Sequence, residues 1–444
     1  MAKKSAAPGV AALGFTGMNN LKKAPGYFMD PETRRITPAL LLNADVYEDG
    51  TIERRGGKRL LIPLSQAHSL WGNSSVKLCV AGVAPGLYRL EGTSAFEICK
   101  VSGPSRARME YLEIGDEIYL SNGHWNGVLS LLDWTIRSWG LPLPLAPDAE
   151  LVEGDLPPGV YKLTYTHTDG KRLGGNGDFL EIQWEGETRG IHLVNQPEGC
   201  IAWITQANGK EFFRAPVDNG VISHPHYTQP LTTFGVAAPP PLTAMCFAHG
   251  RVWGANGPYL LYSDEFQADH FRDGNVIPFE EPLTLVAPVN KGLFVNSLRR
   301  TWLLEGTVPG KMGRSLVGEG AIPGTLTMAL VEGSGYEISR KFSHTPSPLW
   351  ASRTGVMVGT QTGHLVHLTE TRLKINPYSK GASVYRVRQG RPQAIVSLFG
   401  APLGEHDPEL TEIFKRGRIF VPPPVDHRAY GGVLAGGSLE IGFA

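Results

Sequence analysis

Five segments of the chain can be laid over one another, and their spacing limits the fold more than any other feature. They are LCVAGVAPGLYRLEG (78–92), IYLSNGHWNGVLSLL (118–132), RVWGANGPYLLYSDE (251–265), LFVNSLRRTWLLEGT (293–307) and VMVGTQTGHLVHLTE (356–370). Each reads as an apolar strand, a polar or Gly-rich turn and a second apolar strand. Four of them follow a shorter apolar run ending in Gly, as in CFAHGRVWG and LWASRTGVMVG. A strand feeding such a unit is most of a four-stranded propeller blade. With Val80, Leu120, Gly254, Val295 and Val358 as equivalent positions, the intervals are 40, 134, 41 and 63 residues. Removing residues 151–235 brings the long interval to 49, close to the roughly 40–50 residues of a propeller repeat.

The removed stretch has a grammar of its own. Gly159-Val160-Tyr161-Lys162-Leu163-Thr164-Tyr165 alternates cleanly, His167-Thr168-Asp169-Gly170 turns it, and short strand-like runs continue to Glu211-Phe212-Phe213-Arg214, with a hairpin turn at Asn208-Gly209. Strands every 8–12 residues fit a small β-sandwich of fibronectin type. The joints LPLPLAP (141–147) and Pro239-Pro240-Pro241 bracket it. Gly (54) and Pro (34) make up about a fifth of the 444 residues, against an ordinary ~12%, and they are spread along the chain as turn-rich β structure requires. One stretch reads as helix: Asp407-Pro408-Glu409 supplies a cap, a proline at the first position and an acid, and Lys415-Arg416-Gly417 a stop.

The expected fold is therefore all-β, a β-propeller-like chain with an inserted β-sandwich and one short C-terminal helix. The organisation follows: an N-terminal segment with the first blades over 1–150, the sandwich over 151–235, the remaining blades over 236–404, and a C-terminal helix with a closing or interface strand over 405–444. The small, apolar ending GGVLAGGSLEIGFA suits a strand added to a sheet. Near the start, NADVYEDGTIERRGGKRLL (43–61) reads as a hairpin turned at Glu48-Asp49-Gly50, ending in Arg54-Arg55 and bent by Gly56-Gly57.

Lys plus Arg and Asp plus Glu both number 42, so no net field draws the chain to DNA or to a membrane surface. Charged residues are 19% of the chain, below the usual ~25%. MAKKSAAPGVAALGF is too short and too Gly/Pro-broken for a signal peptide, and no apolar run approaches a membrane span. Cys79, Cys99, Cys200 and Cys246 lack metal-ligand spacing and read as buried free thiols of a chain folded in a reducing compartment. No P-loop, GxSxG elbow or HExxH occurs. The pairs His224/His226 and His364/His367 have no third ligand nearby, and Asp264, Asp269 and Asp273 lack calcium-loop spacing; surface histidines and turn or cap carboxylates are the plainer reading. No catalytic, metal or cofactor residue is assigned, and no cofactor is expected. Trp71, Trp125, Trp253, Trp302 and Trp350 fall in or beside the repeats and read as packing between blades, with sugar stacking as the sharper alternative. Arg54, Arg55, Arg299 and Arg300 are either solvated strand ends or a subunit contact or channel wall.

The order of several blocks carries a resemblance. GMNNLKKAPGY, LLNADVYEDGTIERRGGKRLL, LYRLEG, IGDEIYLSNG, LYSDEF and PVNKGLFVNSLRRTWLLEG are similar, in sequence order, to blocks of the tail nozzle, or tail tubular protein B, of short-tailed bacteriophages. That resemblance implies a structural, non-enzymatic virion protein, made in the host cytoplasm and assembled as a homo-oligomeric, hexameric ring. It implies attachment below the head-to-tail adaptor, neighbouring tail fibres or spikes, and an axial channel that retains and passes genomic DNA without sequence specificity. The alternative from another class is a carbohydrate-binding or glycoside-cleaving propeller, a receptor-binding tail component, which co-facial exposed tryptophans would favour. A monomeric cytosolic scaffold is a third reading, separated from the first by self-assembly.

Overall fold

A computed structural model describes residues 21, 27–29, 34–38, 44–46, 51–54, 60–224, 227–330, 345–370, 373–388, 391–403 and 438–442. Among these the chain is all-β; the single helical element is a 3-10 turn, Pro309–Lys311. The helix expected over 407–417 lies outside the described residues. The chain forms two compact units, one of residues 1–100 with 280–444 and one of residues 101–279.

The unit 101–279 contains two antiparallel meanders and the insert. Meander II is Glu110–Ile114, Glu117–Ser121, Asn126–Ser130 and Ile136–Arg137. Meander III is Thr243–Ala248, Arg251–Asn256, Tyr259–Asp264 and Gln267–Pro278, with Val236–Ala237 added on the last strand. They pack face to face: Tyr119, Val128 and Trp139 meet Leu242, Met245, Val252 and Phe271 in one buried cluster. The sandwich between them pairs a three-stranded sheet (Ala149–Leu156, Arg189–Leu193, Val221–Ile222) with a five-stranded one built on Gly159–Thr168. Alternation explains its core. Tyr161, Leu163 and Tyr165 all lie on one face of their strand and are buried with Ile191, Leu193 and Ile222; each such side chain contributes roughly 1.5–3 kcal/mol. The expected turns hold, with Gly170 at φ +86° and Asn208 at φ 59° taking the left-handed conformation that the tight reversals need. The strands of the sandwich run from Ala149 to Ile222, and Val236–Ala237 already belongs to meander III.

The other unit carries meander I (His68–Gly72, Lys77–Ala81, Gly86–Glu91, Ser94–Lys100) and meander IV (Leu283–Val289, Gly292–Ser297, Arg300–Glu305, Gly313–Glu319). Meander V is Thr327–Ala329, Ser347–Ala351, Val356–Gly359 and Leu365–His367. A last sheet pairs two long strands, Tyr378–Arg388 and Arg391–Pro402, and adds Ser438–Gly442. That final strand sets Ser438 opposite Ser397 and Gly442 opposite Gln393, so the apolar C-terminal segment does extend a sheet. The second strand Gly292–Ser297 is buried at every residue, and so it reads as an apolar run rather than as alternation. The outer strand Gly313–Glu319 is largely exposed. Phe294 of meander IV meets Trp350 of meander V with ring centroids 5.7 Å apart. Leu349 and Val358 pack in turn on Ala394, Val396 and Leu398 of the last sheet.

One expected equivalence shifts. Ser347–Ala351 is the second strand of meander V and Val356–Gly359 the third, so Leu349, not Val358, holds the place that Val295 holds in meander IV. The short first strand Thr327–Ala329 was not legible as part of the repeat.

Candidate interaction surface

Sharp hairpin tips need their inward N–H groups satisfied, and a side-chain oxygen at the first turn position can do that. The tip between the second and third strands of meander IV uses Ser297. Its buried Oγ accepts from the backbone N–H of Arg299 (3.1 Å) and of Arg300 (3.0 Å) and donates to Glu281 Oε2 (2.6 Å). Meander V repeats the device: Ser352 Oγ accepts from Thr354 N–H (3.2 Å) and Gly355 N–H (3.1 Å). In the other unit Asn122 Oδ1 does the same for His124 (2.9 Å) and Trp125 (2.7 Å).

Blade packing brings the tips of meanders IV and V together. Glu319 lies opposite Arg300 in the ladder and accepts from Thr354 Oγ1 at 2.8 Å. Arg300 reaches Glu281 at 3.5 Å, whereas the exposed guanidiniums of Arg299 and Arg353 have no acidic partner among the described residues. The sequence reading singled out Arg299 and Arg300 and missed Arg353, whose proximity comes from blade packing. Of the N-terminal pair, Arg54 is exposed, opposite Ala44 in a two-stranded hairpin of Ala44–Val46 and Ile52–Arg54 that pairs with no other strand among the described residues. Arg55 lies outside the described residues, and no contact among the described residues brings Arg54 to Arg299 or Arg300.

Of the three carboxylates weighed as a calcium loop, Asp264 and Asp269 are engaged by arginine, and Asp273 has no basic partner among the described residues. Asp264 accepts from Arg272 Nε (2.8 Å) and Asn275 Nδ2 (3.1 Å). Asp269 Oδ2 receives Arg137 Nη1 (2.9 Å) from meander II and Arg172 Nη1 (2.8 Å) from the sandwich. Two guanidiniums on one oxygen would repel a metal cation. Arg137 also grips Glu117 through Nε (3.0 Å) and Nη2 (2.8 Å) and lies over the Tyr119 ring at 5.8 Å. Burial pushes Glu117 upward, but the Arg137 hydrogen bonds outweigh it and hold the carboxyl below its ordinary value. Burial, then the Asp269 and Glu117 charges, push the Tyr119 phenol up. Backbone donation from Arg172 lowers Asp169 to about 2. This network ties the sandwich to both meanders.

The remaining chemistry is structural. Trp253 and Trp350 have no exposed surface and Trp302 only 4%, while Trp71 and Trp125 are half-buried. Burial pushes the Cys79 thiol to about 11 and raises those of Cys99, Cys200 and Cys246, which keeps them protonated and unreactive at neutral pH. His367 Nε2 lies 3.3 Å from Thr369 Oγ1, His224 Nδ1 lies 3.1 Å from Ser223 Oγ, and His226 is outside the described residues. No group of three or more His, Cys, Asp or Glu among the described residues is placed to hold a metal. No helix among them is long and apolar enough to cross a membrane. One cavity of about 340 Å³ opens beside Tyr259 in meander III.

No family model matches the chain, and no curated protein matches it. Among solved structures it is similar to BBS1N, solved in complex with ARL6DN, at 11% identity and TM-score 0.28, covering 76% of this chain and 88% of that one. The extracellular domain of the hybrid two-component system BT4673 from B. thetaiotaomicron gives 11% identity and TM-score 0.30, covering 80% and 38%. PorZ, a surface component of the type-IX secretion system of Porphyromonas gingivalis, gives 10% identity and TM-score 0.24, covering 77% and 43%. At these TM-scores the likenesses carry no argument.

Proposed function

We propose that this chain is a non-enzymatic structural subunit of a short phage tail. In this reading it assembles as a homo-oligomeric ring, hexameric by resemblance, below the head-to-tail adaptor and beside tail fibres or spikes. Its channel retains genomic DNA and passes it at ejection. The observation that carries the reading is the rim of meanders IV and V. There two exposed arginines with no acidic partner among the described residues, Arg299 and Arg353, sit on tips stiffened by the Ser297 and Ser352 caps. Stiff cationic tips suit carboxylates of a neighbouring subunit. The ordered sequence blocks support it too, since LYRLEG, IGDEIYLSNG, LYSDEF and PVNKGLFVNSLRRTWLLEG all fall in blade strands. Burial of Trp253, Trp302 and Trp350 takes three of the five repeat tryptophans away from any sugar-stacking face, while Trp71 and Trp125 are half-buried.

The test is the mass of the purified protein across a concentration series, with negative-stain images, alone and with the adaptor. Rings with a central hole wide enough for duplex DNA are expected. A chain that stays monomeric in both conditions would overturn the reading.

A further inference from the structure

The cavity in meander III and the exposed arginines of meanders IV and V, Arg299 and Arg353, complement each other chemically. Tyr259, Leu261, Phe271 and Val276 give the cavity an apolar lining, and Asn256 and Asp273 give it polar groups. Its shape follows from an irregular ladder: Ser263 pairs with Phe271 and Leu261 with Val276, so the segment 272–275 bulges out of the sheet. Tyr259 is 50% exposed there. Arg272 is already committed, to Asp264 and to the carbonyls of Phe234 and Thr232. Asp273 is exposed and has no basic partner among the described residues. A carboxylate that lines the same cavity as an accessible aromatic ring makes that cavity a site for a planar cation, which can stack on the ring and form paired hydrogen bonds with the acid.

Arg299 and Arg353 are planar cations of that kind, with no acidic partner among the described residues. We propose that the Tyr259–Asp273 cavity receives an arginine of the Arg299/Arg353 rim from a second copy of this chain. The inference rests on the ring-forming reading above and names its contact. The two surfaces differ, so the contact is heterologous, the type that closes into rings when the rotation allows. Asp273 and Tyr259 recognise the cation; the stiff tips present it at little cost in ordering.

The experiment uses the full-length chain and measures assembly against concentration by sedimentation velocity. Variants are Asp273→Arg, Asp273→Asn, Tyr259→Ala, Arg299→Glu with Arg353→Glu, and the combination of Asp273→Arg with both glutamates. Melting curves confirm that each variant is folded. Each disruptive variant is expected to raise the half-assembly concentration about tenfold or more, as for close interfacial charge pairs, and the charge-swapped combination to recover most of the loss. Wild-type rings that form equally well with Asp273→Arg and Tyr259→Ala would overturn the contact while leaving the ring reading intact. Loss of assembly with the glutamates alone would also overturn it, by placing the arginines against another partner, such as phosphate. A wild type that never assembles would sink the ring reading first.

Discussion

Replacing Asp269 by Asn asks whether the guanidinium pair over its carboxylate holds the unit 101–279 together. Asp269 has a side chain only 13% exposed and receives Arg137 and Arg172, which are 27% and 22% exposed. Asn keeps the shape and, with its amide oxygen in the place of Oδ2, still accepts from both arginines, but it loses the charge and puts its NH2 group in the place of Oδ1, which is buried without a hydrogen-bond partner among the described residues. A hydrogen bond to a charged group is worth roughly 1.5–3 kcal/mol; partial exposure of both arginines discounts that by about half. Weakening both bonds and burying an amide NH2 group without an acceptor gives a cost of about 2 kcal/mol. For a unit of this size that corresponds to roughly 4–8 °C in Tm. Differential scanning calorimetry of wild type and Asp269→Asn reads it directly. The loss is expected to change little between low and high salt, because the pair is mostly shielded. A shift below about 1 °C would refute the reasoning and mean that solvent replaces the network at no net cost.

Three further outcomes follow from named contacts. Trp350→Ala removes a ring with no exposed surface that packs on Phe294 and is expected to cost about 3–5 kcal/mol, read as a lower urea midpoint. Ser297→Ala strips the cap from Arg299 and Arg300 N–H and leaves Glu281 one donor short. The expected cost is about 1–2 kcal/mol, together with faster hydrogen exchange at those two amides. On pH, Asp169 lies at about 2 and Glu117 below its ordinary value of 4.5. Both are depressed in the folded state, so their contribution is full above about pH 4.5 and is lost as pH falls toward 2. Acid titration followed by tryptophan fluorescence should show the unit 101–279 weakening across that window, and stability unchanged down to pH 2 would contradict it.

How much could be read in advance depended on the range of the interaction concerned. Apolar second strands such as Leu293–Val295, the alternating run Tyr161, Leu163, Tyr165 and the Asn208 turn are set by neighbours a few residues away, so strand, turn and sandwich were legible. The fifth repeat was displaced by one strand because Thr327–Ala329 is only three residues long, too short to show a period. Asp264, Asp269 and Asp273 read alike as turn acids. Their partners lie at very different ranges: Arg272 is 8 residues from Asp264, while Arg172 and Arg137 are 97 and 132 residues from Asp269.

The sequence by itself determined the strands, their turns, the propeller-like repeat and the inserted sandwich, since backbone preference and side-chain alternation act locally. Only the tertiary structure decided which charges are paired and which are left over. The tip carrying Arg353 is tied to the blade of Arg299 and Arg300 by the Thr354–Glu319 hydrogen bond, Asp269 is neutralised by two distant arginines, and Asp273 has no basic partner among the described residues. Charge pairing depends on distances of a few ångströms across chain segments that folding alone brings together.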